Sequence, residues 1–279
     1  MATEIKKTDS FDIGQILECG QCFRFTKIED NHYKIIAHGK ALTIKQDEEK
    51  VQFSCESAEF ESILANYFDL NRDYENLKAK VSENDPVMEM AIKYAPGIRI
   101  LRQDFWEMVV SFIISQNNRI PMIKKVIENI SERYGGEIEG GFAFPSARQI
   151  EGASIPELMA LKTGFRAKYI LDAVEKRQAG LLDETKFTLL TTNEIRSHLT
   201  TVNGIGDKVA HCILLMGLNR MDVFPADVWI RRIMSELYFG GLDVSPKVIH
   251  DFAQDKWGEN SGIAQQYLFH YARLEKIGK

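Results

Sequence analysis

Two side chains stand out for what they would do together: Lys208 and, nineteen positions further on, Asp227. A lysine amine attacks carbon only while it is unprotonated, and a free lysine is almost wholly ammonium at neutral pH. Burial in an apolar pocket and the positive end of a helix both lower its pKa, and Lys208 lies where a helix should begin. A nearby carboxylate steadies positive charge that develops during a reaction. Each residue also has an ordinary use. A lysine at a helix start is commonly just solvated, and Asp227, after Pro225 and before Val228, is well placed to cap a helix. A third group is Cys19-Gly20-Gln21-Cys22. Its Cys-x-x-Cys spacing raises metal or redox chemistry. No second cysteine pair, Cys/His cluster or surrounding βαβ pattern completes such a site.

The stretch that must position Lys208 is 192–217. After Gly204-Ile205-Gly206, the residues Val209, Cys212, Ile213 and Met216 recur at helical spacing. This predicts helices over 192–201 and 206–217 joined by a tight turn, the first opened by Asn193-Glu194. Gly204 and Gly206 permit positive φ and close backbone approach. The N–H groups of residues 206–208 then point out of a helix N-terminus, where a phosphate binds well.

Ahead of this hairpin, residues 1–55 carry short alternating runs at Cys22–Phe25, His32–Ile36, Ala41–Ile44 and Val51–Ser54, separated by polar breaks. They predict an antiparallel meander with one covered face. From Ser57 on the pattern is helical, with candidates at 57–68, 85–94, 104–115, 119–134, 166–179, 228–238, 246–257 and 261–276 besides the hairpin. The expected fold class is α+β. An N-terminal antiparallel sheet domain with flanking helices would span 1–85, and a mainly helical domain in two lobes would span 86–279.

Composition narrows the setting. Apolar residues make up 44% and charged residues 27% of 279, as in a soluble globular protein. No run of eighteen apolar residues predicts a membrane span, and Met-Ala-Thr-Glu-Ile-Lys-Lys has no apolar signal core. Four cysteines in so long a chain suit a reducing cytosol rather than a disulfide framework. The net charge of −5, from 35 basic and 40 acidic residues, argues against a non-specific DNA coat protein. It leaves room for a local basic face.

Gly204-Ile205-Gly206, Lys208 and Pro225-Ala226-Asp227, at their mutual distances, resemble the helix-hairpin-helix, Gly/Pro-rich loop and Asp signature (HhH-GPD) of the base-excision DNA glycosylase superfamily. Lysine and aspartate together imply the bifunctional type. There Lys208 would be the Schiff-base nucleophile, and Asp227 would stabilise the charge that grows on the sugar. Cys19-Gly20-Gln21-Cys22-Phe23-Arg24 resembles the Ser-Gly-Gln-Ser-Phe-Arg entry of 8-oxoguanine DNA glycosylases. The resemblance implies that the Gly20 carbonyl accepts the N7–H that the oxidised base has and guanine lacks. Trp257-Gly258 with Ala264-Gln265 and Leu268-Phe269 resembles a further run. It implies Gln265 on the Watson–Crick edge, Phe269 stacked on one face of the flipped base and Cys212 on the other. The Asn117 turn implies a residue filling the gap in the duplex. Gly164-Phe165-Arg166-Ala167 implies a Phe165 wedge and an Arg166 contact to the orphan cytosine.

This sequence departs from the pattern at three places. Met122 stands where eukaryotic members carry a second cytosine-reading Arg, so weaker preference for cytosine is expected. Phe165 replaces a Tyr. Trp229 stands where many relatives have His, so phosphate contacts there would differ. No cysteine follows Cys212, which excludes the iron–sulfur branches of the superfamily. No cofactor is required on this reading. The Thr200, Val202 and Ile205 carbonyls would hold a monovalent cation or calcium near Gly204 and Gly206, which grip phosphate.

The implied activity is excision of 8-oxoguanine from duplex DNA followed by strand cleavage. The expected bearer is a prokaryotic, cytoplasmic and nucleoid-associated monomer with no membrane partner. An alkylated-base glycosylase on the same scaffold, or a non-catalytic damage-binding module, are the alternatives.

Overall fold

Alternating burial shapes the N-terminal sheet. The structure, a computed structural model, describes residues 2–278. The strands are β1 (Thr3–Lys6), β2 (Phe25–Glu29), β3 (His32–Ala37), β4 (Lys40–Gln46) and β5 (Lys50–Phe53), antiparallel in the order β1-β5-β4-β3-β2. On β3, Tyr33, Ile35 and Ala37 are buried while their neighbours are partly exposed, as one covered face requires. The covering elements are α1 (Ile13–Glu18) and the segment 57–67. Asp12 caps α1 by accepting the Gln15 N–H at 2.9 Å.

Three features differ from the sequence reading here, the first being the edge strand β1, which none of the four expected runs contained. Residues 10–24 are not strand: they hold the short α1 and a buried loop, and β2 starts only at Phe25. The helix expected at 57–68 is helical but broken in type, with a π-helical turn at Phe60–Leu64 between short α segments.

Beyond the sheet the chain is helical. The elements that frame the site are α2 (Tyr74–Ser82), α3 (Pro86–Tyr94), α4 (Phe105–Ser115), α5 (Ile120–Tyr134), α6 (Ala167–Gln178), α7 (Thr192–Leu199), α8 (Asp207–Leu218), α9 (Val228–Tyr238), α10 (Pro246–Trp257) and α11 (Ser261–Glu275). A two-stranded ribbon, β6 (Glu137–Ile138) with β7 (Gly141–Phe142), follows α5. Residues Phe105–Ile114 of α4 are all buried, so this helix is the axis of the bundle. It lies close to α8: a Cβ on Gly217 would stand 3.2 Å from Met108 Cβ and 3.3 Å from Phe105 Cα.

Two apolar cores result, one under the sheet and one among the helices. Gln21 ties them together. Its buried side-chain amide donates to the carbonyls of Ile16 (3.0 Å) and Arg99 (2.7 Å) and accepts the Leu101 N–H (2.8 Å). Gln103 donates to the Gln21 carbonyl at 2.7 Å. With its polar atoms paired in this way, the 19–24 loop is held rigidly at the junction.

Candidate active site

Lys208 is the second residue of α8, and Asp227 caps α9. The Asp227 backbone is extended (φ −87°, ψ −178°) and its Oδ1 accepts the Ile230 N–H at 2.8 Å. Both roles weighed from sequence are thus geometrically compatible, because a capping carboxylate is held in place beside the cavity it faces. Lys208, Asp227, Gly20, Cys212, Gln265 and Phe269 line one cavity of about 170 Å³.

The charge state of Lys208 departs from the sequence expectation. The Cys212 sulfur, and then the Asp227 carboxylate, hold the ammonium above the ordinary lysine range, although burial pulls the other way. The Cys212 thiol is itself pushed up by burial. The amine is therefore charged in the free protein, where lowering had been expected. Attraction by the two neighbours outweighs desolvation.

The base-sized end of the cavity joins the two ends of the chain. Gly20 has φ +89°, and a Cβ there would stand 3.1 Å from Phe269 Cε1, so glycine allows the ring to lie against the loop. Gln266 Nε2 donates to the Cys19 carbonyl at 2.6 Å and locks α11 to that loop. Trp229 packs edge-on against Phe269, with ring centres 4.9 Å apart. Its indole N–H donates to the Ile277 carbonyl at 3.1 Å, so that donor is engaged inside the protein.

A second group lies at the α4–α5 turn. Asn117 adopts φ +47°. Arg166 donates through Nε to the Gln116 carbonyl (2.9 Å) and through Nη2 to the Asn117 carbonyl (3.0 Å). Its guanidinium also lies 4.4 Å from the centre of the Phe165 ring, which is half exposed. Asn117, Phe165 and Arg166 are thus brought together, with Arg166 turned toward backbone carbonyls. Met122 is exposed on the first turn of α5.

The hairpin turn separates its two glycines. Gly204 has φ +85°, and a Cβ would fall 2.4 Å from Tyr169 Cδ2. Gly206 has φ −92°, which any residue adopts, and a Cβ there would meet nothing within 4 Å. Backbone conformation therefore does not require glycine at 206. The preceding α7 begins at Thr192, where the expected helix begins, capped by Thr191 with Glu194 as the reciprocal partner, and it ends at Leu199, two residues short of the expected end.

Behind the turn, Lys176 Nζ donates to the Thr201 carbonyl and to Asp172, each at 2.6 Å, and Asp172 accepts the Asn203 N–H at 2.7 Å. The Val202 carbonyl accepts the Ile205 N–H at 3.0 Å. Among the described residues no three His, Cys, Asp or Glu side chains form a metal-sized group. The four cysteines are buried and unpaired. No helix among the described residues is long and apolar enough to cross a membrane.

The sequence reading did not find Gln21, Gln266, Tyr169, Asp172 or Lys176. Each acts across long sequence separations, which spacing within one element does not reveal.

Comparison with known proteins places this geometry among relatives. Residues 4–109 match the family described as 8-oxoguanine DNA glycosylase, N-terminal domain, and residues 110–259 match the HhH-GPD superfamily base excision DNA repair protein. An N-glycosylase/DNA lyase of Saccharomyces cerevisiae is 30% identical over 92% of this chain and 82% of its own length. The structure of a Clostridium acetobutylicum 8-oxoguanine glycosylase/lyase, in complex with duplex DNA containing cytosine opposite 8-oxoguanine, superposes with a TM-score of 0.92. It is 39% identical and covers 99% of both chains. The structure of MBOgg1 in complex with a low-affinity DNA ligand gives a TM-score of 0.94 at 42% identity, covering 99% of this chain and 96% of that one.

Proposed function

Because the chain belongs to the HhH-GPD superfamily of base excision DNA repair proteins, with an N-terminal domain of the 8-oxoguanine DNA glycosylase family, we propose that it is a bifunctional 8-oxoguanine DNA glycosylase and abasic-site lyase. The observation that carries this reading is the convergence of Lys208 and Asp227 on one cavity walled by Gly20, Cys212, Gln265 and Phe269.

The proposed course begins with the damaged nucleotide leaving the duplex and entering the cavity. Gly20 offers its carbonyl to N7–H, Gln265 meets the Watson–Crick edge, and Phe269 and Cys212 sandwich the ring. Asn117 and Phe165 fill the space left in the helix. Arg166 pairs with the orphan cytosine after giving up its carbonyl partners. The N–H groups at Gly206 and beyond hold phosphate at the start of α8, beside Gly204. Trp229 braces Phe269 from behind. A monovalent cation or calcium at the Thr200, Val202 and Ile205 carbonyls would stiffen this turn.

Lys208 gives up its proton to solvent once DNA has bound, and its Nζ forms a bond to C1′ as the bond from C1′ to the base breaks. The base departs with the electron pair and takes up a proton. Asp227 offsets the positive charge on the sugar during this step. The sugar ring opens to an imine. Loss of a C2′ proton then expels the 3′ phosphate by β-elimination, and water hydrolyses the imine to restore the amine. The enzyme would act as a monomer, in the compartment that holds the cell's DNA.

Borohydride reduction tests the central step. Incubation with 8-oxoguanine duplex and borohydride should yield a covalent protein–DNA adduct, and Lys208→Gln should yield none. An adduct of equal yield with Lys208→Gln would remove the basis of the proposal.

A further inference from the structure

A second cavity lies beside the catalytic one at the junction of sheet and helices. It has a volume of about 370 Å³ and is floored by β2 and β3, walled by α5 and closed by the β6–β7 ribbon. The two spaces share Phe23. Ile120 and Ile123 of α5 face the catalytic one, while Pro121, Lys124 and Ile127 face this one. Glycines permit the closure: a Cβ on Gly141 would stand 2.9 Å from Ile36 Cδ1, so the ribbon lies directly on β3.

The lining is cationic and aromatic. Arg24, Lys34, Lys124 and Lys125 face a single acid, Glu128. Lys34 donates to the Gly140 carbonyl, and Lys124 donates to the Phe25 carbonyl at 3.0 Å. The Lys124 ammonium also lies 3.1 Å from the centre of the Phe25 ring. Burial holds Lys124 below the ordinary lysine range, so its charge is poorly solvated there. Behind the wall, Arg24 Nη1 and Ser131 Oγ have no hydrogen-bond partner. The Arg24 side chain is only 7% exposed, and its carboxylate neighbour, Glu107, stands 3.7 Å away. Lys125 is met by Glu128 at 3.3 Å, which leaves Lys34 and Lys124 held by main-chain carbonyls alone, two cations whose charge an entering anion would neutralise. The volume lies at the lower end of the ~300–1,000 Å³ usual for small-ligand sites.

We propose that this cavity binds a nucleotide, its phosphate among Lys34, Lys124 and Arg24 and its flat base against Phe25 and Phe142. The phosphate supplies the missing counter-charge, and the base covers apolar wall that a bare ion would leave unfilled. The nucleotide comes either free or as part of a DNA strand passing the sheet. The site is independent of Lys208, so failure of the lyase reading would leave it standing.

Calorimetry on the whole protein, its catalytic cavity first filled with a duplex carrying a non-hydrolysable 8-oxoguanine nucleotide, tests the proposal. Deoxyadenosine monophosphate should bind at least ~10-fold more tightly than deoxyadenosine, since one charge-assisted hydrogen bond is worth that much. Lys34→Met and Lys124→Met should each weaken it by a similar factor, with base excision unaltered. Both lysines reach the protein surface, so these variants should fold, as circular dichroism would verify. A second arm uses a duplex with a single-stranded overhang. Loss of overhang affinity in the same variants assigns the site to strand nucleotides, whereas loss of mononucleotide affinity alone assigns it to free ones. Equal binding of nucleoside and nucleotide, undiminished binding in both variants, or no binding up to ~10 mM would overturn the proposal.

Discussion

At the scale of the residue, the proposed chemistry turns on the proton carried by Lys208. Since Cys212 and Asp227 hold its pKa up, the rate of base excision should climb with pH above neutrality, toward that raised value. Cys212→Ala removes the first of the two causes and should move the rising limb to lower pH. Single-turnover rates across pH 6 to ~10 would show it, and an unmoved limb would free the sulfur from this role. Asp227 serves as both cap and charge, and asparagine separates the two. Asp227→Asn keeps a good N-cap, so stability should change by no more than ~0.5 kcal/mol. The excision rate should still fall by ~10²–10³, the usual cost of losing one transition-state electrostatic partner. Met122 offers a gain rather than a loss. Met122→Arg should sharpen preference for cytosine opposite the lesion, measured as excision against each of the four opposing bases.

At the scale of the element, the two hairpin glycines separate stability from function. Gly204→Ala forces a Cβ onto Tyr169 at a positive φ and should cost ~1–3 kcal/mol in unfolding experiments. Gly206→Ala meets open space at an ordinary φ, so stability should hold while DNA affinity drops as the methyl crowds the phosphate. Denaturant titration beside fluorescence anisotropy would distinguish them.

The long helices were readable in the sequence because their apolar residues recur at the helical period and their ends carry Asp, Ser or Pro. Bounds from α3 to α11 fall within about two residues of those expected, the usual ambiguity of helix ends. The short α1 was not readable: its six residues are too few to show a period among strands. Much of what surrounds the candidate site was equally hidden. Arg166 donates to carbonyls some fifty positions away, and no local pattern announces such a bond. Lys208 was expected to lose charge on burial, and only its neighbours in space reverse that sign.

At the scale of the whole molecule, the sheet and the helical bundle meet through buried polar groups. Glu107, on the axial helix α4, faces Arg24 from the loop that enters β2. Burial raises its carboxyl from 4.5 to about 7. The folded protein thus holds this proton more tightly than the unfolded chain does. The stabilisation is complete below pH ~4.5 and is lost as pH rises through about 7, a change of up to roughly 3 kcal/mol. Glu107→Gln should flatten that part of the stability profile, read as melting temperature at a series of pH values. An unchanged slope would place the proton elsewhere.

The bond from Gln266 to the Cys19 carbonyl means that the reading pocket has no floor plan of its own in any continuous stretch of chain. On a ribosome, the hairpin and both reactive side chains emerge while α11 is still being decoded. A nascent chain would hold a strand-grasping fold that is blind to oxidation until its last described helix docks. Discrimination between damaged and intact guanine would in this sense be acquired after the grip on the strand.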